Sequence, residues 1–212
     1  MKILCLSSAN SFTSIALIEE LKGKRKLLIE KSWTSQNDEA DKLLPAIQAL
    51  LEKKKTTFKD LEKIVVVRGP GSFTGLRIGV TVANTIAYLN KCDLNSITTF
   101  EFWHHVTDLP ILVFAGKGAL YLSMPDEKEG NLIDLPDINS ALEEQNVSEY
   151  FGDLTLIQKK EITVAKFIDS DFTFGKIMLK VLEGKLQNSK MVAPLYIKAP
   201  SITKSKKTIC ST

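Results

Sequence analysis

The sequence begins with three strand-forming runs before its first helical pattern. These runs are Lys2–Leu6, Phe12–Glu20 and Lys26–Trp33, and a Lys-Gly-Lys turn at 22–24 separates the second from the third. Strands joined so closely predict an antiparallel meander. The apolar period then changes, because the apolar residues between Asp38 and Lys55 recur at the spacing of a helix.

The rest of the first half alternates strands with helices. A β-branched run at Ile64–Val67 predicts a central strand, and a helix is expected over 72–89. A short strand at 97–99 and a helical segment at 100–106 follow. The order β-β-β-α-β-α-β-α is that of the ribonuclease-H-like lobe, which actin-like ATPases also use. The predicted fold class is therefore α/β, with a two-lobed actin-like arrangement of mixed sheets flanked by helices.

Pro110 and the apolar run after it indicate the start of a second lobe. We predict a first lobe over residues 1–107 and a second lobe with a basic tail over residues 108–212. The expected strands of the second lobe are 111–115, 120–123, 132–135 and 154–157, and the expected helices are 138–144 and 174–183. The end of the chain carries the lysine cluster Lys198, Lys204, Lys206 and Lys207, of which Lys198 lies in the APLYIKAP segment and the others follow it. Its two interpretations are a solvated tail and a weak contact with tRNA phosphates.

Composition excludes several classes of protein. A net charge of +3 over 212 residues is too small to indicate a nucleic-acid binder. Three cysteines at irregular spacing argue against a disulfide framework and favour a reducing compartment. The apolar stretch at Ile3–Leu6 is shorter than a signal peptide needs, and no run is long enough to span a bilayer. We expect a cytoplasmic protein with no membrane contact.

The stretch RGPGSFTGLRIGV at residues 68–80 joins the predicted central strand to the next helix. It lacks the Gly-Lys-Ser/Thr ending of a phosphate-binding P-loop, and its glycines are spaced one residue too widely for a dinucleotide fingerprint. Two interpretations stay open. The exposed amides of the helix N-terminus bind an anion, or Ser72 and Thr74 only cap the helix.

Small residues recur every four positions along the predicted helix. They are Gly75, Gly79, Ala83 and Ala87, which share one face. Such a stripe lets another backbone approach closely. Either the helix packs on its own sheet, or the stripe belongs to a helix–helix contact between subunits.

The RGPGSFTGLRIGV stretch resembles the signature of the TsaB (YeaZ) family, subunits of the bacterial tRNA threonylcarbamoyladenosine machinery. Three further segments resemble the same family in the same order. The opening MKILCLSSANSFTSIALI is similar to its first strand pair, DKLLPAIQALL to its first helix, and APLYIKAP to its closing segment. The resemblance covers the first half well, whereas residues 108–190 match mainly in length and order.

The resemblance implies a non-catalytic scaffold with no metal and no cofactor of its own. The expected partners are a TsaD-type catalytic subunit and a TsaE-type ATPase, and the chain is expected to form a homodimer when alone. A nucleotide shared at the partner interface is a further expectation. Contact with tRNA would be only indirect or weak. The expected signature-loop residues are Arg68, Gly69, Pro70, Gly71, Ser72, Phe73, Thr74, Gly75 and Arg77. The expected partner interface comprises Leu43, Leu44, Ile47, Gly75, Gly79, Ala83 and Ala87, read as an exposed stripe on two helices.

Catalysis by this chain alone is not expected. Family members carry an aspartate after the first strand, and this chain has Ser7 and Ser8 there. His104 and His105 are adjacent, so they point apart rather than chelate a metal. Cys5 lies in a predicted buried strand and no histidine lies near it in the sequence, so no catalytic residue is assigned. The alternatives are a stand-alone actin-like phosphotransferase or hydrolase, and a homodimeric interaction protein outside tRNA modification.

Overall fold

The structure is a computed structural model that describes residues 1–34, 38–116, 118–125, 127, 130–169 and 171–197. The predicted basic tail from Lys198 onward lies outside these residues. Two five-stranded mixed sheets form the framework of the chain, and helices flank both of them.

The first sheet has the strand order β3-β2-β1-β4-β5. Its strands are β1 (Lys2–Ser7), β2 (Phe12–Leu21), β3 (Lys24–Thr34), β4 (Leu61–Val67) and β5 (Asp93–Ile97). The first three strands form the predicted antiparallel meander, and β4 and β5 join parallel to β1. The predicted order of elements in the first half is therefore confirmed, although β5 begins at Asp93 rather than at residue 97.

Strand β1 is the centre of the first lobe because both of its faces are buried. Leu4 and Leu6 face the helices α1 (Glu39–Glu52) and α2 (Phe73–Asn90), with which they share one apolar cluster. Ile3 and Cys5 lie in a second cluster with α3 (Thr99–His104) and α6 (Phe174–Glu183). Burial on both faces explains why β1 reads as a continuous apolar run.

The second sheet has the order β10-β9-β6-β7-β8. Its strands are β6 (Ile111–Phe114), β7 (Ala119–Ser123), β8 (Asn131–Asp134), β9 (Glu149–Asp153) and β10 (Lys166–Phe167), and its helices are α4 (Ile138–Glu144) and α5 (Leu156–Glu161). The strand expected at 154–157 is wrong. Thr155 instead caps α5, since its hydroxyl accepts a hydrogen bond from the Gln158 amide at 3.2 Å.

The chain returns to the first lobe after the second sheet, which revises the predicted domain division at residue 108. Helix α6 packs on β2 and β3 of the first sheet. The segment 186–197, which we call the strap, then bonds to first-lobe residues. Its Ser189 amide donates to Leu94 at 2.8 Å, and its Leu195 amide donates to Arg68 at 2.7 Å. The second lobe is thus an insertion into the first.

Among the described residues, no helix combines the length and the apolar character that a membrane span requires.

Candidate functional site: the signature loop and the interlobe cleft

The signature loop connects β4 to α2, and its polar groups form hydrogen bonds with other residues of this chain. Ser72 is the N-cap of α2, and its hydroxyl accepts from the Gly75 amide at 3.3 Å. Its own amide donates to the Ala9 carbonyl at 2.6 Å. On the other side, Thr99 donates from its amide to Gly69 at 2.8 Å and from its hydroxyl to Pro70 at 2.7 Å. The geometry therefore matches the capping interpretation of the loop.

The glycines of the loop and of α2 press against the turn between β1 and β2. A Cβ at Gly75 would lie 2.0 Å from the Ser8 carbonyl oxygen, and one at Gly71 would lie 2.0 Å from that of Ala9. The Ser8 hydroxyl donates to the Gly75 carbonyl at 2.6 Å. The neighbour that requires glycine at position 75 is therefore this chain's own turn, and not an approaching partner helix.

The outer side of the loop carries an exposed guanidinium held by aromatic rings. Arg77 stacks 4.0 Å from the centre of the Phe73 ring, and its Nε donates to the Tyr196 hydroxyl at 3.2 Å. Tyr196 also contacts Phe73, with ring centres 4.8 Å apart. The strap thus fixes the direction of Arg77 and leaves the guanidinium accessible on the surface.

A cleft with a volume of about 1030 Å³ separates the two lobes. The first lobe contributes the β1–β2 turn and the edge of β3 to its walls, and the second lobe contributes the end of β9 and the start of α5. Asp153 crosses the cleft at one point. One of its oxygens accepts from the Ser11 amide at 2.6 Å, and the other accepts from the Ser11 hydroxyl. We call this pair the clasp.

Among the described residues, the surroundings of Cys5 and of the two histidines do not suit catalysis. Cys5 is fully buried, and that burial raises the pKa of its thiol far above the usual range, so it stays protonated and unreactive. The two histidine rings point to different partners, His104 towards the Ser123 hydroxyl at 3.4 Å and His105 towards the Glu101 carbonyl at 2.8 Å. Within the described ranges, no three side chains of the metal-binding types come together.

Comparison with known proteins identifies relatives of this chain. A family model described as TsaD: tRNA N6-adenosine threonylcarbamoyltransferase matches residues 34–128. The tRNA threonylcarbamoyladenosine biosynthesis protein TsaB of Bacillus subtilis (strain 168) is 29% identical over 190 residues, which cover 87% of this chain and 77% of that protein. The protein of the same name from Buchnera aphidicola subsp. Acyrthosiphon pisum (strain APS) is 23% identical, and the match covers 92% of this chain and 88% of that protein. The predicted resemblance to the TsaB (YeaZ) family is confirmed.

A solved structure supports the fold of this chain. YeaZ from Pseudomonas aeruginosa superposes with a TM-score of 0.64 at 16% identity, and the match covers 92% of this chain and 99% of that one. The predicted fold class, a two-lobed actin-like α/β arrangement with mixed sheets flanked by helices, is confirmed.

The structure corrects the prediction that the partner stripe is exposed. Six of its seven residues are buried within the chain itself, namely Leu43, Ile47, Gly75, Gly79, Ala83 and Ala87. They are buried because α1 and α2 turn their small and apolar faces towards the first sheet. Only Leu44 is exposed, with 48% of its surface accessible.

The sequence prediction missed the residues that line the cleft. Asn10, Ser11, Trp103 and Asp153 line one cavity although they are far apart in the sequence. No sequence motif connects them, and the wrong assignment of a strand to residues 154–157 concealed that β9 ends at Asp153. A signal was nevertheless present, because polar residues at the ends of β1 and β9 are typical of the ligand side of an α/β sheet.

Proposed function

We propose that this chain is a non-catalytic subunit of the complex that adds threonylcarbamoyl to adenosine 37 of tRNA. The observation that carries the proposal is the similarity to TsaB of Bacillus subtilis, which spans both lobes and whose name assigns that protein to tRNA threonylcarbamoyladenosine biosynthesis. The work of the chain would be to bind and support a TsaD-type catalytic subunit, with a TsaE-type ATPase in the same assembly and tRNA held mainly by the partners.

The end of β1 supports a role without chemistry. Ser7, which is 4% exposed, stands where an acid would hold magnesium in an actin-like ATPase. Ser8 is engaged in packing, since its hydroxyl donates to the Gly75 carbonyl. The Ser11 amide in the same turn is occupied by Asp153. We therefore propose that the isolated chain does not hydrolyse ATP.

The exposed side of α1 and α2 is the partner surface that we propose in place of the buried stripe. Tyr88 is 83% exposed and Leu89 is 71% exposed, both in the last turn of α2. Half-buried Ile78 and Val82 lie on the same side of the helix as Leu89, at intervals of four and seven residues. Leu44 on the neighbouring helix α1 is exposed as well, and exposed apolar residues on two adjacent helices suit a helix–helix interface. In the absence of a catalytic partner, the same surface would serve a homodimer.

A nucleotide at the partner boundary stays a proposal that rests on Arg77. Its guanidinium is oriented by Phe73 and Tyr196 and faces solvent. A planar, preoriented guanidinium suits phosphate recognition. No cofactor of the chain's own is proposed.

The test is reconstitution of the full chain with a TsaD-type subunit. We expect Leu89→Glu to abolish co-elution with that subunit and to lower threonylcarbamoyladenosine in tRNA, because a charge in the centre of an apolar interface is not solvated. Leu156→Glu is the matched control. That leucine is 78% exposed on α5 in the second lobe, so both readouts should stay unchanged.

Two outcomes would contradict the proposal. Unchanged association and modification with Leu89→Glu would remove the α1–α2 surface as the interface. Steady-state ATP turnover by the pure isolated chain would favour the stand-alone enzyme instead.

A further inference from the structure

One edge of the first sheet collects lysines from separate parts of the chain. Strands β1, β4 and β5 are parallel and begin at this edge, where the register places Lys2 beside Leu61 and Lys63 beside Asp93. The β2–β3 turn lies there as well, because β2 runs antiparallel to β1 and β3 runs antiparallel to β2. Helices α1 and α2 end at the same edge, since they precede β4 and β5. The cleft lies at the other end of β1.

We call this edge the basal surface, and it comprises the segments 22–26, 52–63 and 90–93. These segments contain ten basic residues and four acidic ones, although the whole chain has a net charge of only +3. Eight of the basic residues are exposed lysines, namely Lys22, Lys24, Lys26, Lys53, Lys54, Lys55, Lys59 and Lys91. Positive charge is therefore concentrated on one surface, and the total charge does not reveal it.

The carboxylates of the basal surface do not neutralise these lysines. Glu62 lies 3.4 Å from the N-terminal amino group. Asp60 accepts a hydrogen bond from the Thr57 amide at 2.7 Å, and Glu52 accepts one from the Gln48 amide at 2.9 Å. Among the described residues, none of the eight exposed lysines forms an ion pair with a carboxylate. Their charges are therefore available to a ligand.

Three of the lysines occupy backbone positions that favour glycine or asparagine. Lys22, Lys55 and Lys91 have φ angles of 50°, 50° and 53°, which lie in the left-handed region. Apart from glycines, the described residues include only one further positive φ, that of Asn146. Lys22 and Gly23 form the two-residue β2–β3 turn, where Asn-Gly is favoured, and Lys91 ends α2 in a conformation that glycine usually adopts. Lysine at such positions costs local stability, which indicates a role for its charge.

The extent of the basal surface suits a long polyanion. Five strands span about 19 Å, since neighbouring strands lie about 4.8 Å apart. The ends of α1 and α2 add a second row of lysines beside the sheet. A single small anion cannot contact charges that are spread so widely, whereas a chain of phosphates can contact several of them at once. Lysine is a flexible point charge, so it fits a phosphate without reading a base.

We propose that the basal surface binds the phosphodiester backbone of a structured RNA without reading its sequence. The choice of tRNA as that RNA rests on the proposed function, whereas the binding itself does not. The last turn of α2, with exposed Leu89, borders both the basal surface and the proposed partner surface. A tRNA held by a partner on α2 can therefore reach these lysines.

Fluorescence anisotropy of the isolated full chain with an unmodified tRNA transcript tests the proposal. The first variant combines Lys22→Asn, Lys55→Gly and Lys91→Gly, which remove three charges and supply the residues that the left-handed positions favour. We expect it to bind tRNA at least about tenfold more weakly at about 50 mM KCl, and the slope of log Kd against log salt to fall by about 2–3. Its melting temperature should be equal to that of the unmodified chain or higher.

The matched control removes three lysines that lie away from the basal surface. It combines Lys160→Gln, Lys166→Gln and Lys176→Gln, and all three side chains are exposed. The control changes the net charge by the same amount and keeps the lysines of the tail. Its affinity for tRNA should therefore stay within about twofold of that of the unmodified chain.

A second basal variant separates charge from backbone conformation. Lys53→Gln, Lys54→Gln and Lys59→Gln remove three charges at positions with ordinary φ angles. This variant should weaken tRNA binding as much as the first. If the first variant does not fold, the second decides alone.

The results that overturn the proposal are distinct. Equal weakening in the control and in the basal variants would show that only net charge matters, and an affinity that neither basal variant lowers would place the RNA elsewhere. Binding to vesicles of phosphatidylglycerol and phosphatidylcholine, without binding to tRNA, would assign the surface to a membrane. All of these measurements use the isolated chain, so failed assembly with a TsaD-type subunit would contradict the proposed function alone.

Discussion

The turn between β1 and β2 has two sides that differ sharply in packing. On one side, the carbonyls of Ser8 and Ala9 touch the signature loop and α2 so closely that no Cβ fits at Gly71 or Gly75. On the other side, Asn10 and Ser11 border a cavity of about 1030 Å³. Four consecutive residues thus separate a closed side from an open side.

The two sides of the turn therefore differ in role, since the closed side supports the fold and the open side stays accessible from the cleft. The polar groups on the closed side form their hydrogen bonds within the chain, as the contacts of Ser8 and Ser72 show. The open side leaves the Asn10 oxygen without a partner among the described residues. The glycine contacts hold the closed side tightly, so the backbone of the open side is fixed in position as well.

The largest effect is expected from a methyl group on the closed side. Gly75→Ala places a Cβ 2.0 Å from the Ser8 carbonyl oxygen, and backbone atoms cannot yield as a side chain can. We expect a loss of about 3–4 kcal/mol in the free energy of unfolding, measured by urea denaturation. Gly118→Ala is the control, since apart from its chain neighbours no atom of the described residues lies within 4 Å of its added Cβ. Equal stability of the two variants would show that the closed side tolerates more space than its contacts indicate.

An intermediate effect is expected from a single hydroxyl. Ser8→Ala removes the buried bond to the Gly75 carbonyl and should lower the free energy of unfolding by about 1–2 kcal/mol. Ser14→Ala, on the open side, removes a bond to Ser32 that water in the cleft can replace, so a change below about 0.5 kcal/mol is expected. If thermal and urea unfolding rank the two variants in the opposite order, the distinction between the sides fails.

The smallest effect on stability is expected at the clasp. Asp153→Ala removes the acceptor of the Ser11 amide and hydroxyl, but both groups then reach water. The free energy of unfolding should fall by less than about 1 kcal/mol. Hydrogen exchange at Ser11 should nevertheless become about tenfold faster, because the amide loses its partner. Unchanged exchange at this amide would mean that the clasp is open in solution.

The sequence predicted most of the framework because local patterns determine it. Helices α4 and α6 have the predicted bounds, and the meander and the strand–loop–helix around the signature loop are where the apolar periods placed them. The strand expected at 154–157 failed because the capping pair Thr155 and Gln158 outweighed a short apolar run.

The site was less accessible to prediction because it depends on distant contacts. The small face of α2 was recognised correctly, but periodicity cannot say which surface covers it, and the cover is Ser8 and the sheet of the same chain. The clasp likewise joins Ser11 to a residue 142 positions away. Long-range pairs of this kind leave no periodic trace in one sequence.

The return of the chain to the first lobe sets an order for folding during synthesis. All five strands of the first sheet have been synthesised once translation reaches Ile97, but helix α6, which covers one face of this sheet, ends only at Glu183. At ordinary translation rates, that face of Ile3, Cys5 and Ile18 stays without α6 for on the order of ten seconds. The inserted lobe is complete earlier, by Phe167, so the first lobe to leave the ribosome is the last to close.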